Sequence, residues 1–357
     1  MSEVLLLVMA LFALVGALDR IFGNRMGLGA RFEEGITTMG SLALAMLGII
    51  CLAPVLANLL KPVVVPVYNF LGADGAMFAG TILACDMGGG ALAQELTSDS
   101  QAALLGGVIT GSMLGATVVF TIPVAMGILQ SEDKPFLAKG ILCGVVTIPI
   151  GILVGGLVAG FDVMMVLRNL IPIVLIALLI ALGLWKFEKG MIKGFGLFGK
   201  AIIALITFGL VSAIVEELTG FVIIPGLAPL SDGFETVGAI AIVLAGAFPL
   251  VYTITKLLKK PLLKLGKVLG VNDTAAAGLI ASLANSIATF EMMKSMDKRG
   301  KVVNVAFAVS AAFVFGDHMG FTAGFAPELL PAVILGKLAG GVSAVAVALL
   351  LTRKEKV

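Results

Sequence analysis

Charged residues are scarce in this chain, and histidine is almost absent from it. Asp, Glu, Lys and Arg make up 13% of the 357 residues, against 59% hydrophobic residues, and there is one histidine. A soluble domain carries about 25% charged residues, so most of this chain has no polar face to turn to water. Apolar windows of about 20 residues predict helices that span a membrane, rather than the alternating strands of a membrane barrel.

Motifs for metals, redox chemistry and nucleotides are missing as well. The three cysteines lie in apolar segments without a CxxC or Cys/His spacing, so we interpret Cys51, Cys85 and Cys143 as small buried hydrophobes. The sequence contains no P-loop, no HExxH and no GxSxG, which leaves ATP-driven transport and intramembrane proteolysis without a motif. We therefore expect no cofactor, no bound metal and no enzymatic activity.

The few basic residues cluster between apolar segments, and these clusters orient the chain. Lys and Arg are enriched in the cytoplasmic loops of membrane proteins. The clusters that we assign to the cytoplasm are Arg20, Arg25 and Arg31, the lysines at 186–200, the Lys and Arg residues at 256–301, and the tail at 353–356. A nucleic-acid surface is the alternative, but topology explains the clusters without a further partner. The predicted protein is multi-pass, with a cytoplasmic C-terminus and no nucleic-acid partner.

If those clusters are cytoplasmic, each of two apolar segments returns to the membrane face from which it entered. Segment 76–96 enters and leaves on the outer face, and segment 274–293 on the cytoplasmic face. Asp86 and the three glycines after it interrupt the first segment, and Asn285 interrupts the second. A broken helix at bilayer depth is tolerated only where protein or a watery cavity takes up its freed backbone groups. A carboxylate at that depth costs about 2.5–3.5 kcal/mol on insertion scales. We therefore predict two re-entrant hairpins, with Asp86 in a binding site.

The two halves of the chain match each other at a fixed offset of 198 residues, which pairs Gly40 with Gly238. The match predicts repeats at 1–160 and 197–357, joined by a linking transmembrane helix and a cytoplasmic loop at 161–196. Each repeat has four transmembrane helices and one hairpin, and an odd number of crossings between the copies inverts the second. The predicted fold class is an all-α polytopic membrane protein of two inverted repeats, which is typical of secondary transporters.

Residues able to bind a substrate are few, and they lie in or just after the two hairpins. The candidates are Asp86 in the first hairpin, Thr117, Phe120 and Thr121 after it, Ser282, Asn285 and Ser286 in the second hairpin, and Asp317 with His318 after it. Carboxylates, an amide and hydroxyls suit a small cation with hydrogen-bonding groups, and the carbonyl ends of half-helices add partial negative charge. Gly316 and Gly320 predict an unwound helix around Asp317, and Pro123 predicts one in the counterpart segment.

Each of the main candidates also has a structural interpretation. Asp86 could cap the second half of its hairpin, because Asp is a favoured N-cap residue. Asn285 could satisfy the backbone of the second hairpin. His318 could be a hydrogen-bond partner of Asp317 or a proton-sensitive group. The residues alone leave these alternatives open.

Several runs of the sequence are characteristic of one family. They are Cys85-Asp86-Met87-Gly88-Gly89, Gly316-Asp317-His318, and residues 31–35, 39–46, 53–57, 77–80, 119–125, 283–285, 296–302 and 306–313. Over essentially the whole chain, these runs resemble the ethanolamine-utilisation membrane transporters of bacteria. The resemblance implies uptake of ethanolamine across the bacterial cytoplasmic membrane. Asp86 and Asp317 would then hold the ammonium group, while Asn285 and neighbouring hydroxyls bind the OH.

We expect facilitated uptake by alternating access, in which the hairpin-bearing part moves against a scaffold in the lipid bilayer. A homo-oligomer, with a dimer favoured, agrees with this type of transporter. The alternative within transporters is a Na⁺- or H⁺-coupled symporter of another small amine or polar metabolite. A membrane enzyme acting on a lipid-like amino alcohol would need a cluster of cytoplasmic ligands that the sequence lacks. A structural or signalling subunit would have no use for two acids inside the membrane.

Overall fold

The computed structural model describes residues 2–353, and among these residues it contains helices and connecting turns but no strand. The side chains at 258–265 and 267 lie outside the described part of the chain, as does the tail at 354–357. Part of the basic cluster at 256–301 and most of the basic tail used to assign the C-terminus therefore fall on residues that the structure does not describe.

The first half of the chain forms helices up to residue 158. These are α1 (Ser2–Ile21), α2 (Leu28–Thr37), α3 (Met39–Phe70), α4 (Ala76–Ile82), α5 (Gly89–Leu96), α6 (Ser100–Ala103), π-helical turns at Leu104–Gly115 and Thr117–Thr121, α7 (Ile122–Ile128), α8 (Lys134–Val145) and α9 (Ile148–Val158). The chain from α6 to α7 is one continuous rod, in which wide π turns replace the α-helix over much of its length. Single π turns often mark functional sites, and runs of this length are rare.

The second half begins with the longest helix. The elements are α10 (Val163–Thr219), α11 (Leu230–Leu269), α12 (Asp273–Ala284), α13 (Ser286–Met292), α14 (Lys298–Ala311), α15 (Asp317–Phe325) and α16 (Leu330–Leu351). In the described part of the chain, seven helical stretches are long and apolar enough to cross a membrane. The protein is therefore an all-helical, multi-pass membrane protein, as the composition predicts.

Helix boundaries recur along the chain at the offset of 198 residues. α6 begins at Ser100 and α14 at Lys298. Each of these helices is capped by an aspartate, because the carboxylates of Asp99 and Asp297 accept backbone N–H groups of the first turn. Helices α1 and α10 end at positions 21 and 219, which are separated by the same offset. Several helix boundaries thus recur at the offset that the sequence identities show.

Both interrupted segments fold as pairs of short helices. α4 ends at Ile82, the chain is extended at Leu83 and Ala84, and α5 begins after Gly88, whose φ of 89° is accessible to glycine without strain. In the second segment, α12 and α13 are separated by Asn285 alone, which is extended. The two helices of each pair pack against each other. The helix breaks lie where the sequence predicts them.

The unwound segment near Asp317 is also present, but its predicted counterpart is not. α14 ends at Ala311 and α15 begins at Asp317, so residues 312–316 separate two half-helices. The prediction of a break at Pro123 is wrong, since the rod continues through it. Pro123 is the second residue of α7, at the point where the π turns give way to the α-helix.

The predicted cytoplasmic loop at 186–196 is helical instead. Within α10 only Phe187 has a non-helical backbone (φ −134°, ψ 42°), and it divides the element at a kink. Lys189, Lys193 and Lys200, which all lie after that kink, are spaced by four and seven residues, which aligns them on one helical face. Their charge therefore indicates an amphipathic helix rather than a loop.

Glycines on the rod let the first hairpin approach its backbone. A Cβ atom at Gly106 would lie 2.5 Å from the carbonyl oxygen of Ala76, and one at Gly111 would lie 3.0 Å from the backbone nitrogen of Cys85. Such contacts leave no room for a side chain at Gly106. Close packing against the rod therefore positions the first hairpin and its tip.

Candidate functional site

A cavity of about 880 Å³ lies beside the tip of the first hairpin. Its walls come from that tip, the start of α3, the end of the rod, the second half of α10 and the unwound segment before α15. Most of the lining side chains are apolar. The polar ones with a charge or a titratable group are Asp86, Asp317, His318, Lys193 and Lys200.

Four of the residues singled out from the sequence share this cavity. Asp86, Phe120, Asp317 and His318 all line it, although they come from three separate elements. Asp86 is carried by the hairpin tip, Phe120 by the rod, and Asp317 with His318 by the first turn of α15. The fold thus brings one acid from each half of the chain to the same space.

Asp86 and His318 belong to a buried line of polar groups that ends in a lysine. His318 Nε2 lies 3.7 Å from Asp86 Oδ1, and His318 Nδ1 lies 3.0 Å from Lys337 Nζ. The ammonium of Lys337 also donates to the backbone carbonyl of Ser112 on the rod. Lys337 is 1% exposed and His318 3% exposed. A buried ammonium is stable only when its hydrogen bonds are satisfied.

Lys337 is the functional candidate that sequence reasoning missed. It is a single lysine inside the apolar segment that forms α16, and a lone cation at membrane depth is a usable signal in itself. Its partners could not be inferred, because Ser112 and His318 come from different parts of the chain.

Aromatic rings form one wall of the cavity. Phe120 and Phe313 meet edge to face with their centroids 5.4 Å apart, and the ring of Phe313 lies 5.1 Å from that of His318. Phe313 has a φ of 62°, which is strained for a bulky residue. Two backbone bonds hold this segment to the second hairpin, because the N–H of Phe313 donates to Ser282 O at 3.0 Å and the N–H of Phe315 donates to Leu283 O at 2.8 Å.

The polar residues of the second hairpin lie outside the cavity. The side-chain oxygen of Asn285 accepts the N–H of Ile287 at 2.8 Å and caps α13, which is the structural alternative considered for it. The hydroxyl of Ser282 pairs with that of Thr289 at 2.8 Å. The hydroxyl of Ser286 is buried and has no hydrogen-bond partner among the described residues. The bonds of Ser282 and Asn285 thus lie within the hairpin, and none of the three residues lines the space beside Asp86.

Thr117 and Thr121 are buried in the rod, and neither lines the cavity. The hydroxyl of Thr117 lies 2.7 Å from the carbonyl oxygen of Met113 and 3.0 Å from that of Val309. It therefore joins the rod to α14. Asp86, by contrast, does not cap its hairpin, because the N-cap of α5 is Gly88 and no side chain bonds there. Its carboxylate remains directed to the cavity.

Donor atoms of Cys85, Asp86 and His318 lie within 4.8 Å of one another, close enough to reach a single metal ion. A metal-bound histidine ordinarily donates its second ring N–H to a carboxylate or a carbonyl. Here the second ring nitrogen faces the ammonium of Lys337, which can only donate. This arrangement does not fit a metal ligand set, and the charge of Lys337 opposes a second fixed cation.

A smaller cavity of about 110 Å³ lies on the other side of the same hairpin tip. It is lined by Cys85 and Gly88 from the tip, Gln94 from α5, Asp232 from α11 and the stacked rings of Phe321 and Phe325 from α15, among others. Adjacent residues of the tip therefore line different cavities, Cys85 the smaller one and Asp86 the larger one.

Comparison with known proteins covers the whole chain. The family described as "Ethanolamine utilisation protein, EutH" matches residues 1–351. The chain is 59% identical over 353 residues to "Probable ethanolamine permease EutH" of Listeria monocytogenes, with 99% of this chain and 95% of that protein covered. It is 52% identical over 351 residues to "Uncharacterized protein YxeR" of Bacillus subtilis, with 98% and 95% covered. No solved structure matches it.

The relative from Escherichia coli, also named "Probable ethanolamine permease EutH", is 47% identical over 392 residues, with 99% of this chain and 96% of that protein covered. Identity of this extent over nearly full length confirms the resemblance recognised in the sequence. The relatives bearing this name are named for a permease and not for an enzyme.

Proposed function

Because the chain belongs to the EutH family of ethanolamine utilisation proteins, we propose that it carries ethanolamine across the bacterial cytoplasmic membrane. The observation that carries the proposal is that Asp86 and Asp317, from opposite halves of a multi-pass membrane protein, line one cavity. Acids at membrane depth mark substrate or ion pathways. Ethanolamine at neutral pH is mostly a small ammonium ion with one hydroxyl group.

The site chemistry suits such an ion. An ammonium group has only donors and a carboxylate has only acceptors, so Asp86 and Asp317 complement the charged end of the substrate. The rings of Phe120 and Phe313 offer π faces to the same cation. Two carboxylates stand beside the buried amine of Lys337 at this end of the cavity, while the other lysines of the wall, Lys193 and Lys200, are carried by α10. The hydroxyl group then lies toward His318.

This assignment changes the role of the second hairpin. Asn285 was expected to bind the hydroxyl, but its oxygen caps α13 and it does not line the cavity. We assign Ser282, Asn285 and Ser286 to holding the hairpin and the strained segment at Phe313 in position. Thr117 and Thr121 similarly support the rod behind Phe120.

We further propose that the fold is built of two inverted repeats, 1–160 and 197–357, joined through 161–196. The recurring helix boundaries, the paired caps at Asp99 and Asp297, and the two broken segments support this division. The broken segments would be re-entrant hairpins whose tips approach the bilayer midplane from opposite sides. Secondary transporters with inverted repeats bind their substrate in such a position.

The two cavities support alternating access across the first hairpin. The larger cavity reaches Lys193 and Lys200, which the basic-residue rule assigns to the cytoplasmic side. The smaller one reaches Gln94 and Asp232, which belong to regions poor in Lys and Arg. We propose that this conformation is open to the cytoplasm, and that the tip at Asp86 closes the outer route.

Uptake of labelled ethanolamine into proteoliposomes tests the transport proposal. Asp86→Asn and Asp317→Asn should each lower uptake by about 10- to 100-fold, because each removes a charge-assisted hydrogen bond. Asp99→Asn is the matched control, since asparagine caps a helix as well as aspartate does. Wild-type uptake in both cavity variants would remove the carboxylates from the mechanism, and absence of uptake by the wild type would refute ethanolamine as substrate.

A further inference from the structure

The contact between Lys337 and His318 has a chemical consequence that transport of a cation alone does not require. A lysine ammonium has three donors and no acceptor. With Lys337 charged, the ring nitrogen of His318 that faces it, Nδ1 at 3.0 Å, accepts and carries no proton. A neutral imidazole then holds its single proton on Nε2. That nitrogen is the one turned toward Asp86.

We infer that Lys337 is a positioning residue that holds His318 as the Nε2–H tautomer, so that this N–H donates to the hydroxyl oxygen of the substrate. The inference rests on the proposed function for the identity of the substrate, and it adds the group that recognises the hydroxyl. Ethanolamine would then be bound at both ends, by carboxylates at the ammonium and by the imidazole N–H at the oxygen.

The surroundings of His318 favour the same tautomer. From the hairpin tip it faces Asp86 and Cys85, and from α16 it faces Lys337. From the rod it faces the carbonyl of Ser112, which accepts a hydrogen bond from Lys337, and Asp317 precedes it in the chain. With the proton on Nδ1 instead, the lone pair of Nε2 would oppose the carboxylate of Asp86, and the Nδ1–H would oppose the N–H groups of Lys337. Both contacts become favourable when the proton lies on Nε2.

The distance to Asp86 leaves room for the substrate. At 3.7 Å, Nε2 and Oδ1 are too far apart for a direct hydrogen bond. The N–H is therefore available to another acceptor in the cavity, and the carboxylate is available to an ammonium. A hydroxyl two carbons from an ammonium spans such a pair of neighbouring groups.

Because the chain has one histidine, its tautomer can be read without assignment ambiguity. The tag-free protein, labelled with ¹⁵N,¹³C-histidine and reconstituted in lipid vesicles, is measured by solid-state NMR. We expect one protonated nitrogen that correlates with Cδ2, which is Nε2, and one unprotonated nitrogen that correlates with Cγ, which is Nδ1. A proton on Nδ1, or protons on both nitrogens, would overturn the inference.

Lys337→Met removes the ammonium while keeping an unbranched side chain. The proton should redistribute over both nitrogens in this variant. Lys139→Met, at the equivalent position of the first half and exposed, is the matched control and should leave the histidine spectrum unchanged. An unchanged spectrum in Lys337→Met would refute the role of the lysine. Should that variant fail to fold, the wild-type spectrum still decides the tautomer.

Competition for uptake separates this role from a merely structural one. Ethylamine has the ammonium but no hydroxyl, so the wild type should prefer ethanolamine over it by about 5- to 10-fold, the value of one hydrogen bond. Lys337→Met should reduce that preference toward one, whereas a loss of packing would weaken both amines equally. If the tautomer is Nε2–H but the wild type takes up neither amine, the proposed function fails and the tautomer assignment stands.

Discussion

Asp86 and His318 lie 3.7 Å apart, measured between Oδ1 and Nε2, although one stands in the first hairpin and the other at the start of α15. Neither side chain caps the helix that carries it. Both sit in an apolar wall where an idle polar group would be costly. Their approach therefore marks the point at which the two halves of the chain line one cavity.

Glycine should be tolerated better than alanine at position 313. Its φ of 62° strains any residue with a Cβ atom, so Phe313→Gly should be more stable than Phe313→Ala by about 1–2 kcal/mol. Both variants lose the ring, and both should lower ethanolamine uptake to a similar extent. Thermal unfolding in detergent and uptake in proteoliposomes measure the two effects. Equal melting temperatures would mean that the segment relaxes without cost.

The ion pair of Lys301 with Asp133 should contribute to stability far more than an exposed one. Its side chains are 14% and 5% exposed, and removing one partner of a buried pair costs about 3–5 kcal/mol. We expect Asp133→Asn to approach this range, and Asp133→Asn combined with Lys301→Met to recover part of the loss. Arg20→Ala, which breaks an exposed pair with Glu33, should cost at most about 1 kcal/mol. Chemical unfolding of the wild type, Asp133→Asn, Lys301→Met and the double variant closes the cycle, and Arg20→Ala is measured beside them.

Gly106→Ala should displace the first hairpin from the rod. The added Cβ would lie 2.5 Å from the carbonyl oxygen of Ala76, a backbone atom that cannot move aside alone. Uptake should fall by at least about tenfold, since small displacements of a site are amplified into large losses. Gly190→Ala is the control, because nothing lies within 4 Å of its Cβ position and alanine is the better helix former. Full uptake in Gly106→Ala would show that the tip does not depend on this contact.

Thiol labelling should reveal which side of the membrane the larger cavity faces. In a background with Cys51, Cys85 and Cys143 replaced by serine, Ser41→Cys lies on the cavity wall. It should react with a membrane-impermeant reagent in inside-out vesicles and be spared in right-side-out ones. Ser98→Cys, in an exposed turn after α5, should show the reverse preference. The opposite result for both sites would invert the assigned orientation.

Uptake should persist when no ion gradient is imposed. In the proposed facilitated mechanism the concentration gradient of ethanolamine drives its entry, so no coupling ion is needed. Removing Na⁺ from both sides, or adding a protonophore, should leave the initial rate of ethanolamine entry within about twofold, a change worth less than 0.5 kcal/mol. Loss of uptake under either condition would instead favour the ion-coupled symporter.

Local chemistry explains which features could be predicted from the sequence. Acids beside glycines announce a broken helix at membrane depth, so Asp86 and Asp317 could be found from composition and spacing alone. The same reasoning failed at Pro123, because it did not anticipate π turns that accept a proline. It also took the lysines at 186–200 for a loop, although the spacing of the three after the kink fits one face of a helix.

The rest depended on tertiary contacts. Asn285 and Asp86 both interrupt hairpins, yet one points to its own backbone and the other to the cavity, and no periodicity distinguishes them. Phe313 carries no polar group and gave no signal. Lys337 was visible as a charge in an apolar helix. Its role, however, depends on its contacts with His318 and with the carbonyl of Ser112, which lie elsewhere in the chain.

Two backbone hydrogen bonds connect the second hairpin to the aromatic wall of the cavity. They run from Phe313 to Ser282 and from Phe315 to Leu283. A shift of that hairpin would pull on the wall and on Asp317 directly behind it. The first hairpin, which carries Asp86, packs instead against the rod. Displacing one hairpin relative to the other would therefore increase the distance between the two acids and weaken the binding of a cation that both contact, as proposed. Release would then begin with a movement of the backbone rather than with a change in the substrate.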